Sequence, residues 1–557
     1  MPLKNNTAKR TKFIFVSGGV ISGIGKGLTA SSISFLLKSA GYKIAPIKFE
    51  NYLNLDAGTI NPIEHGDPFL CEDGTEGDMD IGSYEKFLNE DMGADNFVTI
   101  GRIYQTVIDR ERRFEYNGED VEAIPHITDE IISRMTTLAK KKDADIVIVE
   151  LGGTAGEYQN ILYYEASRIM TLKNPGDVIH IHVSYMPTPG HLGEPKTKPT
   201  QLSVKTLNSM GIQPDIIVAR AEKNIDQRRR ERVALFCNMH PEDIFSNPDV
   251  DTVYEIPLTL HEQGIEKRIF EKLGLAAKTP KVEEWEALVK KMKAKKTRAL
   301  DIAIVGKYFG TGDYQLRDSY AALFDAIEHA SWEDGVEVKT RWIDAQKVEK
   351  NGPELEIGKP DGIIVPIGWG ERGAEGMIAA AEYALDKKIP YLGLCYGMQL
   401  GVVGFARRIL GWKDANTTEN DRKTTHPVIH LIETQKELIE KRAYGGTMRL
   451  GGWDAMVKKG TRAYELYKKH GFLRGKDGLT SERHRHRYEF NNDFAKELED
   501  AGLVVAARSV AENLVEIIEL PESAHPFFMG TQGHPEYKSR PMDPHPIFIE
   551  FLKAASK

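Results

Sequence analysis

Short, unbroken apolar runs punctuate the first half of the chain. KFIFVSGG (12–19), YKIAPIKF (42–49), DADIVIVELGG (143–153), DVIHIHVSY (177–185) and PDIIVARA (214–221) each give way to glycine or polar residues and then to helical spacing. Continuous rather than alternating hydrophobicity suits strands covered on both faces, and alternation with helices predicts an α/β fold with parallel sheets. The text changes at KTPKVEEWEALVKKMKAKKTRA (278–299), which is charged with a few apolar residues at helical spacing and reads as a solvated linker helix. A second α/β series follows: ALDIAIVGKY (299–308), DGIIVPIGWG (361–370), IPYLGLCYG (389–397), LVVAARS (503–509) and LVEIIEL (514–520). The expected organisation is a domain over 1–275, a linker over 276–298 and a domain over 299–557, with no internal repeat.

Composition agrees. A chain of 557 residues exceeds one ordinary core, and 41% hydrophobic with 28% charged residues is the balance of a soluble globular protein. A net charge of -8 argues against nucleic-acid or anionic-membrane partners. Cys71, Cys237 and Cys395 are far apart, which suits neither a disulfide framework nor a CxxC metal site and fits a reducing cytoplasm. The basic stretch Met1 to Lys12 runs straight into a strand pattern without the features of a signal peptide, and no apolar run has transmembrane length. The expectation is a soluble, cytoplasmic protein.

The first strand leads into Ser17-Gly18-Gly19-Val20-Ile21-Ser22-Gly23-Ile24-Gly25-Lys26-Gly27, then a helix. Glycines let backbone N–H groups close around phosphate oxygens, the helix N-terminus favours negative charge, and Lys26 reaches the outer phosphates. The spacing departs from G-x-x-x-x-G-K-[ST], since five residues separate Gly19 from Gly25 and Gly27 follows the lysine. A glycine-rich turn alone is also an ordinary tight turn; strand, glycines, lysine and helix in this order point to nucleotide. Glu150 ends an apolar strand, and Asp78 lies in the acidic loop 72–80. Together they would suit Mg²⁺ shared with phosphate oxygens; singly, each also reads as a solvated loop residue. Lys196-Thr197-Lys198-Pro199-Thr200-Gln201 reads equally as a solvated turn or a second polyphosphate loop, and Arg228 to Arg232 as an exposed helix face.

In the second half, Cys395 falls between a strand and a helix, at a sharp turn that exposes a thiol near a helix N-terminus. A lone cysteine among apolar residues is more often inert. His534 and Glu536, beyond another strand, supply a base and an orienting acid, so that attack on the glutamine amide would give a thioester and ammonia. Pro366-Ile367-Gly368-Trp369-Gly370 is the candidate oxyanion loop, with one donor from it and another from the amide of Tyr396.

GLCYGMQ (393–399) joined to GHPE (533–536) resembles the class I, or triad, glutamine amidotransferases. GGVISGIGKG, GTINPIEHG, IPHIT, VELGGTAGE, KTKPTQ, VALFCN, GTMRLG and ERHRHRYEFN, in this order, narrow the resemblance to the CTP synthase family. That resemblance implies a P-loop-type synthetase domain and a class I amidotransferase domain. It implies that ATP phosphorylates O4 of UTP and that ammonia then displaces phosphate to give CTP. Carried over by motif, Ser22, Gly23, Ile24, Gly25, Lys26 and Gly27 would hold ATP, and Asp78 with Glu150 the Mg²⁺. Ser22, Lys48, Glu157, Tyr158, Gln159, Lys196, Lys198, Pro199, Thr200, Gln201 and Arg232 would form the UTP and CTP site. Gly368, Tyr396, Gln399, Glu419 and Arg487 would bind glutamine. Ile367 and Tyr396 would form the oxyanion hole. Gly370, Arg372 and Glu375 fall on the loop that answers to GTP as activator. The family further implies a homotetramer, a UTP/CTP site at a subunit interface, an internal ammonia path and feedback inhibition by CTP.

The sequence departs from the family's usual text in places. PIGWG stands for PGGFG, Glu157-Tyr158-Gln159 for Asp-Ile-Glu, KFENY (48–52) for KLDPY, and EGDMDIG (76–82) for ETDLDLG. Rival readings are a cobyrinic or cobyric acid amidase, disfavoured by KTKPTQ and ERHRHRYE, and a regulatory paralogue without glutamine hydrolysis.

Overall fold

The computed structural model describes residues 10–557 except 192, 297, 312, 313, 316 and 476. The basic stretch before Arg10 lies outside the described residues. Contacts divide the chain into two units: Met1–Asp56 with Ser83–Met292, and Ala57–Gly82 with Lys293–Lys557. The segment 57–82 therefore packs with the C-terminal half, although it lies inside the range expected for the first domain.

The first unit is built on a seven-stranded parallel sheet. Its strands are β1 (Lys12–Gly19), β2 (Ile44–Glu50), β3 (Phe97–Thr99), β4 (Ile146–Leu151), β5 (Val178–Tyr185), β6 (Ile216–Ala221) and β7 (Ile244–Pro248). They lie in the order β3-β2-β4-β1-β5-β6-β7. All five apolar runs are strands, nearly buried throughout, as double-sided cover requires. Register sets Glu150 on β4 opposite Val16 on β1 and Lys48 on β2. Helix α1 (Lys26–Ser39) starts from Gly25, whose φ of 82° is open to glycine at no steric cost.

The linker helix departs from expectation. Helix α2 (Glu283–Lys293) buries Trp285, Leu288, Val289 and Met292 rather than lying solvated. Trp285 donates its indole N–H to the Tyr254 carbonyl at 2.7 Å and packs on Phe35 at a ring separation of 4.4 Å. The apolar residues at helical spacing are a docking face of the first unit, not a sparse scatter. Trp285→Ala is expected to lower the stability of this unit by about 3–5 kcal/mol, read from its chemical denaturation curve.

The second unit holds a nine-stranded sheet. Its strands are β8 (Arg298–Gly306), β9 (Val336–Asp344), β10 (Gly362–Val365), β11 (Tyr391–Leu394), β12 (Arg449–Val457), β13 (Leu479–His486), β14 (Val504–Ser509), β15 (Val515–Glu519) and β16 (Phe528–Thr531). Their order is β9-β8-β10-β11-β16-β15-β14-β12-β13. The first five are mutually parallel and the rest antiparallel. LVVAARS and LVEIIEL are antiparallel because the short 510–514 loop between them allows a hairpin but no crossover. The neighbours β10, β11 and β16 deliver the 366–370 loop, Cys395 and His534 to one sheet edge, the carboxyl end where α/β sites form.

Candidate active site

Cys395 has φ 51° and ψ −101° between β11 and helix α3 (Tyr396–Phe405), a strained turn of the kind that presents a nucleophile. Two glycines make the turn possible. A Cβ on Gly397 would stand 1.8 Å from the Val365 carbonyl oxygen, and one on Gly393 would meet the Gly397 carbonyl at 2.6 Å. The Cys395 amide donates to the Thr531 carbonyl at 2.8 Å, tying the elbow to β16.

His534 is fully buried, and its Nδ1 bonds Glu536 Oε1 at 2.8 Å. This fixes the ring by its Nδ1 edge, and Nε2 has no hydrogen-bond partner among the described residues. Burial opposes the imidazolium, but Glu536 and Cys395 outweigh it and raise His534 to about 10. A charged His534 is the partner a thiolate needs. The Gln532 amide donates to Cys395 Sγ at 3.6 Å, and the thiol approaches the Arg485 carbonyl at 3.8 Å. Gln399, expected at the glutamine site, donates to Gln532 Oε1 at 3.2 Å and to the Tyr488 carbonyl at 2.8 Å. Gln532 was not among the expected site residues, although it lies two positions before His534 in the same string.

Ile367 is buried without a left-handed φ, and the positive values in this loop fall on Gly370 (70°) and Gly373 (72°). A β-branched residue therefore fits where the family has glycine. The loop is gripped from both sides. Glu419 accepts the Gly370 amide at 2.7 Å, and Lys307 Nζ donates to the Trp369 and Gly370 carbonyls. Burial raises the Glu419 carboxyl, and burial lowers Lys307 to about 8. Gly368 must lack a side chain, since a Cβ would come 2.7 Å from Lys307. The Tyr396 hydroxyl donates to the Gly370 carbonyl at 3.0 Å. Arg372 donates to the Lys307 carbonyl at 3.0 Å, and Glu375 pairs with Arg407 at 2.6 Å. Lys307, unremarked in the sequence, is signalled only by its place after β8.

The Arg487 guanidinium donates to Gln435, to the Tyr444 carbonyl at 2.7 Å and to Thr447 at 2.9 Å. Two residues earlier, on β13, Arg485 is buried between Glu76 at 2.6 Å and Asp67 at 3.3 Å, with its guanidinium 4.5 Å from the Trp369 ring centre. Asp67 also accepts the Tyr537 hydroxyl at 2.7 Å, and the Tyr537 ring stacks on His534 at 5.2 Å. Burial pushes the Asp67 carboxyl up against the pull of Arg485, Tyr537 and His534, and Glu536 adds to the rise.

In the first unit, Gly23 and Gly25 carry φ of 70° and 82°. A Cβ on Gly18 would lie 2.5 Å from Lys26 Cδ, so the lysine packs against bare backbone. His182, which sequence reasoning missed, bonds Ser17 at 2.9 Å and Ser203 at 2.8 Å behind the loop; burial and then Lys26 lower it to about 3, keeping it neutral. Glu150 is fully buried and accepts Lys48 Nζ at 3.1 Å and the Tyr84 hydroxyl at 3.0 Å; Glu50 lies 3.0 Å from the same lysine. Asp78 belongs to the other unit, where it accepts the Asp80 amide at 3.0 Å.

A cavity of about 290 Å³ brings together Lys196, Lys198, Gln201 and Arg232, with Arg228 and Arg229 added to the expected set. The arginine run is thus not only a solvated face. Asp226 caps its helix at Arg229 N (2.9 Å) and turns that end toward the lysine loop. Thr200 is buried and bonded to Ser184, and Pro199 opens the helix Lys198–Ser209. Glu157 is held by the Thr154 amide and Asn51, while Tyr158 is 93% exposed and Gln159 is exposed beside it. Among the described residues, no helix is long and apolar enough to cross a membrane.

Two family models match: the CTP synthase N-terminus over residues 12–275 and the class-I glutamine amidotransferase over residues 315–554. A CTP synthase of Caldanaerobacter subterraneus subsp. tengcongensis is 46% identical over 544 residues, covering 98% of each chain. One of Pyrococcus abyssi is 48% identical over 549 residues, again covering 98% of each. Among solved structures, the Trypanosoma brucei CTPS glutaminase domain with bound acivicin is 33% identical at a TM-score of 0.41, covering 46% of this chain and 94% of that one.

Proposed function

Because the chain belongs to the CTP synthase family, we propose that it aminates UTP to CTP at the expense of ATP, with glutamine as nitrogen donor. The observation that carries the reading is the Cys395–His534–Glu536 assembly of the second unit, in a chain whose first unit holds a phosphate-type loop.

In the second unit, Cys395 attacks the side-chain carbonyl of glutamine. The new oxyanion is met by backbone N–H groups of the 366–370 loop and of Tyr396. His534 gives its proton to the leaving nitrogen, ammonia departs, and a thioester remains. Water activated by the now neutral imidazole then releases glutamate and restores the thiol. Glu536 keeps Nδ1 occupied throughout, which holds the tautomer that Nε2 chemistry requires. The grip of Glu419 and Lys307 supports a preformed loop. Gly368, Gln399 and Arg487 complete the glutamine pocket in this reading, Gln399 acting through Gln532.

In the first unit, the backbone of Ser22 to Gly27 and Lys26 would cradle ATP, with Lys48 beside the transferred phosphate. The cationic cavity of Lys196, Lys198, Gln201, Arg228, Arg229 and Arg232 supports a second triphosphate, that of UTP or CTP, with Pro199 and Thr200 in the helix start beside it. Glu157, Tyr158 and Gln159 would face the pyrimidine. Glu150 is a hard oxygen donor at a strand end with a lysine for charge balance, which suits Mg²⁺; Asp78, the second carboxylate the resemblance implies, belongs to the other unit. The ion would neutralise phosphate charge during transfer. Activation by GTP at Gly370, Arg372 and Glu375, inhibition by CTP, a homotetramer with the UTP/CTP site between subunits and a cytoplasmic location complete the proposal.

The test is CTP formation from UTP and ATP, followed with glutamine and with ammonium. Activity is expected with both. No CTP from either would overturn the proposal, and activity with ammonium alone would remove its glutaminase half.

A further inference from the structure

Asp67 stands outside the triad, yet it reaches toward both halves of the glutaminase chemistry. One oxygen accepts the Tyr537 hydroxyl at 2.7 Å, and the Tyr537 ring lies stacked against His534. The other oxygen meets Arg485 at 3.3 Å, and the Arg485 guanidinium lies over the Trp369 indole of the oxyanion loop. Base and oxyanion loop thus share a buried carboxylate, and Asp67 is 7% exposed.

The surroundings make this more than incidental packing. Tyr537 and Arg485 are both fully or almost fully buried, so neither can find water in place of Asp67. Tyr537 also donates to the Pro68 carbonyl at 3.1 Å, and Arg485 to the Gly58 carbonyl at 3.1 Å, so both are anchored to the 57–82 segment as a whole. Glu76 holds Nε of Arg485, and Asp67 holds Nη1. A narrow void beside Asp67 is lined by Pro366, Ile367, Glu536 and Tyr537, so the aspartate also borders the root of the oxyanion loop and the orienting acid.

We propose that Asp67 is a positioning residue of the glutaminase, aligning His534 through Tyr537 and the 366–370 loop through Arg485 and Trp369. The proposal rests on the triad reading above. By it, the segment 57–82 is part of the glutaminase machinery although it lies more than three hundred residues before Cys395 in the chain. Removing Asp67 leaves every reacting atom in place and loosens two of their supports together. Misplacement of this kind lowers turnover rather than glutamine affinity.

The experiment compares Asp67→Ala, Asp67→Asn and Tyr537→Phe with the unsubstituted full-length chain. Glutamine-dependent and ammonium-dependent CTP formation are measured separately, with thermal melting alongside. In Asp67→Ala, kcat with glutamine is expected to fall about 10–100-fold with KM for glutamine within about twofold. Asp67→Asn and Tyr537→Phe should fall less, and their double variant should fall by less than the product of the two, because they cut one path. Ammonium-dependent synthesis should persist in all of them. Unchanged kcat with glutamine in Asp67→Ala would overturn the proposal. So would a parallel loss of both activities with a lowered melting temperature in all three variants, which would mark a purely structural role. If the unsubstituted chain does not hydrolyse glutamine, the triad reading fails and this inference falls with it; if it does and the variants match it, only this inference falls.

Discussion

Replacing Cys395 by alanine is expected to remove CTP formation from glutamine by at least about 10⁴-fold while ammonium still supports synthesis. The size of the loss follows from what remains. Without sulfur, His534 has no nucleophile to serve, and Gln532, the 366–370 loop and Tyr396 surround an inert methyl group. Alanine fits the strained turn no worse than cysteine, and the amide that bonds Thr531 is unaffected, so the elbow should keep its shape. Steady-state assays with the two nitrogen sources read the outcome directly. Retained glutamine-dependent activity would show that another group is the nucleophile.

The second large effect belongs to the other unit. Glu150→Gln is expected to reduce CTP formation from both glutamine and ammonium by about 10²–10³-fold, the few kcal/mol that a charge-neutralising metal supplies in phosphoryl transfer. Glutamine is the informative replacement because it keeps volume and an acceptor for Tyr84, and Lys48 retains Glu50 at 3.0 Å. Alanine would leave a buried lysine half-compensated and confuse catalysis with folding, since breaking a buried pair costs about 3–5 kcal/mol. Glutamate release, which needs only the second unit's chemistry, should continue. Ammonium-driven synthesis at the original rate would place Glu150 outside the reacting centre.

How much of this was legible in the sequence depended on whether a signal was local. Every apolar run read as a strand is one, because burial on both faces leaves a mark on consecutive residues. The candidate triad could be proposed because its strings are compact: Cys395 lies near Gly393 and Gly397, and His534 lies two residues from Glu536. Three things were hidden. The docking face of α2 was masked by charges on its other side. The antiparallel half of the second sheet was not separable from the parallel half by periodicity. The union of residues 57–82 with the C-terminal unit is a long-range contact with no local mark, and Asp67, Glu76 and Arg485 went unnoticed for that reason. Lys307 and Gln532 were missed because their bonds, to loop carbonyls and to the Gln399 amide and the Cys395 sulfur, follow no spacing rule. Arg487 shows the opposite: the string was plain, but the side chain's partners here, Gln435, Tyr444 and Thr447, could not be read from it.

The aromatic residue of the oxyanion loop has one more consequence. The chain has six tryptophans, and Trp369 is placed where the family's usual text has phenylalanine. Its indole lies against a guanidinium, and its carbonyl is held by a lysine ammonium. Indole emission responds to nearby charge, so the candidate oxyanion loop carries an intrinsic fluorophore beside two cations. With the other five replaced by phenylalanine, the protein would report optically on each arrival and departure of glutamine, without a dye and without turnover.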